Sequence, residues 1–240
     1  MARRSPKPAR GKSRAAPLRL TDLARFRQAA YRLFGTALLY PAEERLTSLV
    51  AVARELEQQS QALVEFAFFP QWTRFLALLV HREESGTADL EQAYLDLFLV
   101  HQKVPLYESR FLTPKTPELT MAALDGEYGA AGLAVATSFK EPPDHAAVEL
   151  EFMSFLCGKE AEAWSKRSLK NGVKQLEAEA GFLGRHLYLW FPVLAEQVAR
   201  HAGDGFYTVV TRAAHDFIGH DQALLDALLM QYHQEASRSV

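Results

Sequence analysis

Residues 21–41 read TDLARFRQAAYRLFGTALLYP, and Leu23, Phe26, Ala30, Leu33, Phe34, Ala37 and Leu38 recur at the spacing that gathers them on one face of an α-helix. Thr21 stands where an N-cap belongs, and Tyr40-Pro41 stops the run, because proline lacks a donor and restricts the residue before it. The same stripe returns at Leu46, Leu49, Val50, Ala53 and Leu56, then at Trp72, Phe75, Leu76 and Leu79, and again at Leu90, Ala93, Tyr94, Leu97 and Phe98. No segment alternates convincingly as a strand does, and no repeat period emerges. The expectation is an all-α protein, a single bundle of about nine to eleven helices.

Two breaks divide this pattern. Residues 101–116 carry Pro105, Pro114 and Tyr107-Glu108-Ser109, an expected ordered loop before a helix capped by Thr116 with Pro117 at its first position. Residues 129–143, with Gly129, Gly132, Pro142 and Pro143, form the second, a candidate hinge between two halves. A helix is expected from Asp144. One long stripe runs from Leu169 to Val198, with Pro192 predicting a kink near Trp190. Phe206, Val210, Ala213 and Phe217 suggest a helix after a cap at Asp204, and Leu224, Leu225, Leu228 and Tyr232 a last one.

The chain has 240 residues, enough for a sizeable core, with 48% hydrophobic and 23% charged residues, which excludes a wholly disordered class. No apolar run approaches the roughly 18 residues of a spanning helix. Seven of the 27 basic residues lie in residues 1–19, which hold no acid. That leaves 20 Lys+Arg against 29 Asp+Glu, a formal charge of -9, on residues 20–240. A body of this sign favours a cationic partner and repels nucleic acid, while the arm, with Pro6, Pro8 and Pro17, is expected to be disordered. Cys157 is the single cysteine. Disulfide and Cys-rich zinc frameworks are thereby excluded, and without a recognisable secretory signal the expected compartment is the cytoplasm.

The sharpest local feature is Pro142-Pro143-Asp144-His145 followed by Glu149, Phe152 and Met153. On a helix starting at Asp144, His145 and Glu149 fall in the middle of an apolar arc with Val148, Leu150, Phe152, Leu156 and Cys157. Two ionisable groups one turn apart on a buried face need partners. They fit a structural pair, a binding site at the helix start, or a two-ligand metal site in a helical hydrolase; Asp144 fits a plain N-cap, and Cys157 an inert core thiol. Gly11-Lys12-Ser13 lacks the first glycine of a phosphate loop, and Arg3-Arg4 lacks the apolar core of an export signal. No nucleophile triad or dinucleotide loop is present, so no catalytic residue, cofactor or metal is expected.

Four segments together resemble the TorD/DmsD family of cytoplasmic chaperones that mature molybdenum-containing oxidoreductases. They are Tyr94-Leu95-Asp96-Leu97-Phe98; Pro105-Leu106-Tyr107-Glu108-Ser109; Pro143-Asp144-His145 leading into Glu149-Leu150-Glu151-Phe152-Met153; and Phe182-Leu183 with His186-Leu187 and Trp190-Phe191-Pro192. The resemblance covers roughly residues 20–235. It implies a non-enzymatic, all-helical protein that binds the twin-arginine signal peptide and the immature catalytic subunit of its client molybdoenzyme. Such a protein delays export until the cofactor is inserted. The stretch around Asp144 and His145 then belongs to the signal-recognition region.

A twin-arginine signal joins two guanidinium groups to an apolar segment, so its receptor should place carboxylates beside an aromatic groove. Asp144, Glu108 and Glu149 are the candidate carboxylates; Tyr94, Phe98, Tyr107 and Phe152 are the candidate aromatics, with Pro105, Ser109 and His145 in the same segments. Asp144 and Tyr107 stand beside prolines at segment ends, where side chains should reach the surface. Monomer and homodimer are both compatible with the sequence, neither nucleic-acid binding nor integral membrane association is expected, and the competing enzyme reading is a hydrolase using His145 and Glu149.

Overall fold

The structure is a computed structural model that describes residues 19–82, 85–112, 116–137 and 139–238. The basic arm, the Gly11-Lys12-Ser13 segment and Pro114 lie outside the described residues. Nine α-helices are found among the described residues: α1 (Leu20–Ala37), α2 (Glu43–Gln59), α3 (Phe69–His81), α4 (Ala88–Tyr94), α5 (Pro117–Ala130), α6 (Ala146–Ser165), α7 (Leu169–Arg185), α8 (Leu187–Ala202) and α9 (Phe206–Arg238). The expected all-α class is therefore observed. None of these helices is long and apolar enough to cross a membrane.

Helix α1 lies at the centre, packed along α6 and also against α2 and α9. Its face buries Phe26, Ala30, Leu33, Phe34 and Ala37, the stripe read from sequence. The aromatic core forms around it: Phe34 stacks on Phe75 at 5.2 Å, and Phe26 meets the Trp72 edge at 5.4 Å. Gly35 lets α1 and α6 approach closely. A Cβ there would stand 3.2 Å from the Ala147 carbonyl oxygen and 3.3 Å from Leu150 Cβ. The start of α1 differs from expectation. Asp22 and Leu23 donate to the Arg19 carbonyl, so Arg19 is the N-cap and Thr21 lies inside the first turn without a capping bond.

Arg27 interrupts the apolar stripe and is only 2% exposed. Its guanidinium donates to Asp221 and Glu179 at 2.5 Å and to Glu160 at 2.6 Å, and Tyr31 adds a hydroxyl bond to Asp221 at 2.6 Å. This one side chain thereby joins α1 to α6, α7 and α9. Burial pushes the Glu179 carboxyl up to about 8, against the pull of Arg27. Cys157 is buried beside the cluster, and burial pushes its thiol well up, as an inert core thiol should behave.

Two expectations for the C-terminal half are corrected. The stripe from Leu169 to Val198 is two helices, not one helix kinked near Trp190. The chain breaks at His186 (φ -121, ψ -100), six residues before Pro192, which lies inside α8 and cannot donate to the Tyr188 carbonyl. The break is set by tertiary contacts of the His186 ring, described below. The two expected terminal helices are one 33-residue helix, α9. Asp204 does not cap it: the Thr208 and Val209 N–H groups donate to the Gly205 carbonyl, while Asp204 pairs with Arg212 at 3.8 Å.

Candidate functional site

The loop after α4 and the start of α6 are stitched together by backbone. Tyr107 and His145 form an isolated antiparallel bridge: Glu108 N–H donates to the Asp144 carbonyl at 2.9 Å and Ala146 N–H to the Leu106 carbonyl at 2.8 Å. The second bond also satisfies one of the orphan donors at the α6 N-terminus. His145, not Asp144, is the N-cap; its Nδ1 accepts from Ala147 N–H at 3.1 Å. Burial lowers the His145 pKa to about 4, which keeps Nδ1 free to accept at neutral pH. Asp144 precedes the cap and is 2% exposed, with Oδ2 accepting from Ser109 N–H at 3.3 Å. The expectation that Asp144 reaches the surface is therefore wrong; the bridge turns its carboxylate inward.

Tyr107 is half-buried, its hydroxyl donating to Glu141 at 3.0 Å, and burial with that bond pushes its pKa up to about 12. Its ring meets the edge of His145 at 5.4 Å. Tyr94 and Phe98 are core residues packed on Tyr207 and do not line an open aromatic groove. Pro105 and Ser109 are half-buried in the same loop.

Of the three readings of His145 and Glu149, a pair between the two does not form: no hydrogen bond joins them, and His145 caps α6. Glu149 Oε2 instead accepts from the Trp190 indole at 3.1 Å, and burial, reinforced by Glu108, raises its pKa well above the usual carboxyl range. Glu108 pairs with His186, Oε2 to Nδ1 at 2.8 Å, and the other ring nitrogen of His186 meets Glu127 at 3.1 Å. Burial alone would lower the His186 pKa, but the bonds to Glu108 and Glu127 raise it. Glu127 is held at about 2, the bonds from His186 and Arg185 outweighing its partial burial. His186 and Trp190 stand in a segment that carries the family resemblance, yet nothing in the sequence marks them, or Glu127, as site residues: α7 and α8 read as continuous apolar stripe, and nothing in spacing says which loop a break will face.

A second feature that sequence reading missed is an apolar groove of about 460 Å³. Gly35 of α1 and Leu39 just beyond its end form one wall, Val148, Phe152 and Phe155 of α6 another, and Leu133, Val135 and Phe139 a third. The exposed Glu151 stands among them. Of the sequence candidates, Phe152 reaches this groove, against Tyr128 and Phe182, each 4.7 Å away.

Comparison with known proteins agrees with this architecture. Chaperone protein TorD of Vibrio cholerae serotype O1 (strain ATCC 39315 / El Tor Inaba N16961) is 26% identical over 214 residues, covering 88% of this chain and 86% of that protein. The Perchlorate reductase assembly chaperone protein of Dechloromonas aromatica (strain RCB) is 29% identical over 133 residues, 54% of this chain and 58% of that one. The crystal structure of a proposed redox enzyme maturation protein from Archaeoglobus fulgidus shares the fold, with a TM-score of 0.52 at 22% identity over 80% of this chain and 93% of that chain. A family model described as Nitrate reductase delta subunit matches residues 50–196. That match spans more than half of the chain, which therefore belongs to that family, the TorD family, whose named members are chaperones.

Proposed function

We propose that this chain is a system-specific cytoplasmic chaperone for a molybdopterin-dependent oxidoreductase. It binds the client's twin-arginine signal peptide and immature catalytic subunit, assists cofactor insertion, and delays export until folding is complete. The observation that carries this reading is the apolar groove with Glu151 in its wall, on a body of formal charge -9. An apolar segment of a signal peptide fits the Val148, Phe152 and Phe155 wall, and an arginine fits the Glu151 carboxylate in that wall. Asp144, Glu108 and Glu149 act indirectly in this reading. Buried, they fix the 105–111 loop and α8 to the start of α6, the helix that supplies the Val148, Phe152 and Phe155 wall.

The test is calorimetry with a synthetic twin-arginine peptide and with the intact apo-client. Ala136→Trp, on an exposed position of the groove wall, should block the peptide without disturbing the core, and Glu151→Lys should weaken it most at low salt. Replacing the peptide arginines with lysine should also weaken binding, since lysine lacks the planar fork. Failure of both peptide and apo-client to bind the folded chain at low salt sinks the proposal.

A further inference from the structure

Two buried carboxylate oxygens in the bridge region have no hydrogen-bond partner: Glu108 Oε1 and Glu149 Oε1. Both residues are fully buried. An unpartnered carboxylate oxygen inside a protein is costly, and two side by side more so. Their remaining oxygens are already engaged, Glu149 Oε2 by the Trp190 indole and Glu108 Oε2 facing His186 Nδ1. One ligand atom from each of Glu108, Glu149 and His186 lies within 4.8 Å of the others.

We propose that Glu108, Glu149 and His186 form a binding site for a divalent first-row transition-metal ion such as zinc or manganese. Two carboxylates and one imidazole are a common ligand set for these ions, at bond lengths of about 2.0–2.2 Å. Atoms bonded at that length sit roughly 3 Å apart around the ion, so the cluster needs only a modest contraction. The 2.8 Å between Glu108 and His186 Nδ1 is already near that spacing. Charge also balances, because two ionised carboxylates match one dication.

The surroundings supply the outer partners that metal ligands require. Glu127 sits 3.1 Å from His186 Nε2, where it accepts that proton and fixes the tautomer, so that an ion binding at Nδ1 displaces only the proton that Nδ1 shares with Glu108, which leaves to solvent. Trp190 holds Glu149 by one oxygen and leaves the other for the ion. Glu127 is itself held by Arg185 at 2.9 and 3.0 Å, and with a quarter of its side chain exposed it marks the edge through which an ion enters. A bound ion would tie the 105–111 loop to α6 and α8 at once.

The experiment uses the full chain, stripped with a chelator and then titrated with zinc chloride or manganese chloride by calorimetry, with elemental analysis after gel filtration. One ion per chain and a raised melting temperature are expected. Glu149→Gln should remove binding. Because that variant alters the core, Glu127→Gln provides the second arm: it lies at the edge, should stay folded by circular dichroism, and should bind about 10–100-fold more weakly. Absence of stoichiometric binding of either ion to the folded chain overturns the site and leaves a shared proton between the two glutamates. Binding of equal strength in wild type and both variants overturns it too, assigning the ion to exposed histidines.

Discussion

Tyr107 and His145 pair backbone to backbone across 38 positions of sequence, and the pairing brings together two segments that sequence inspection had singled out separately. The same contact starts helix α6. Ala146 N–H is satisfied by the Leu106 carbonyl, Ala147 N–H by the His145 ring, and Val148 N–H by the His145 carbonyl at 2.8 Å. A helix N-terminus that would otherwise hold unsatisfied donors in a buried place is thus completed by a loop and an imidazole.

The His145 cap makes stability depend on pH. Its pKa falls from 6.5 to about 4 on burial, so between those values the folded state binds fewer protons than the unfolded chain. The stabilisation is fully present above pH ~6.5 and declines as pH falls toward 4, by up to about 3 kcal/mol. Asparagine caps helices without titrating in this range. Urea unfolding of wild type and His145→Asn should therefore converge as pH is lowered from 7 to 4.5, and parallel pH profiles would refute the assignment.

Arg27 is the single cation among three buried carboxylates. Arg27→Met removes the donor that Glu160, Glu179 and Asp221 share and should cost about 3–5 kcal/mol at pH 7. The loss should be larger at pH 9 than at pH 7, because Glu179, pushed up to about 8 by burial, sheds its proton over that range and then depends on the Arg27 charge. Arg27→Lys should recover only part, because an ammonium cannot reach three carboxylates in a plane. A loss below about 1 kcal/mol in denaturant melts would show that the cluster does not brace the four helices.

Gly35 and Gly126 should respond to alanine in opposite directions. A Cβ at Gly35 meets the α6 backbone and Leu150 at 3.2–3.3 Å, so Gly35→Ala should force α1 and α6 apart at a cost of about 1–3 kcal/mol. Gly126, in the exposed part of α5, has no atom within 4 Å of such a Cβ. Gly126→Ala should gain up to about 1 kcal/mol from helix propensity alone. Melting temperatures of the two variants measure the contrast, and equal shifts would contradict the close packing.

By itself the amino-acid sequence determined the class and most of the helices of this protein, because apolar spacing at Leu23, Phe26, Ala30, Leu33 and their counterparts is a local property that survives whatever the helix packs against. It also determined the Thr116-Pro117 helix start, where the Thr116 hydroxyl accepts from Leu119 N–H at 3.4 Å, and the burial of Glu149 within α6 and of His145 at its cap. Tertiary structure alone decided their partners. Asp144 turned inward because the bridge brings residues 106–109 against it and Ser109 N–H bonds its carboxylate, and His145 took the cap. The chain broke at His186 rather than near Trp190 because two glutamates from distant segments hold that ring. The groove has the same origin: its three walls come from the end of α1, α6 and the stretch that carries Leu133, Val135 and Phe139, and no periodicity within one element specifies the space left between three of them.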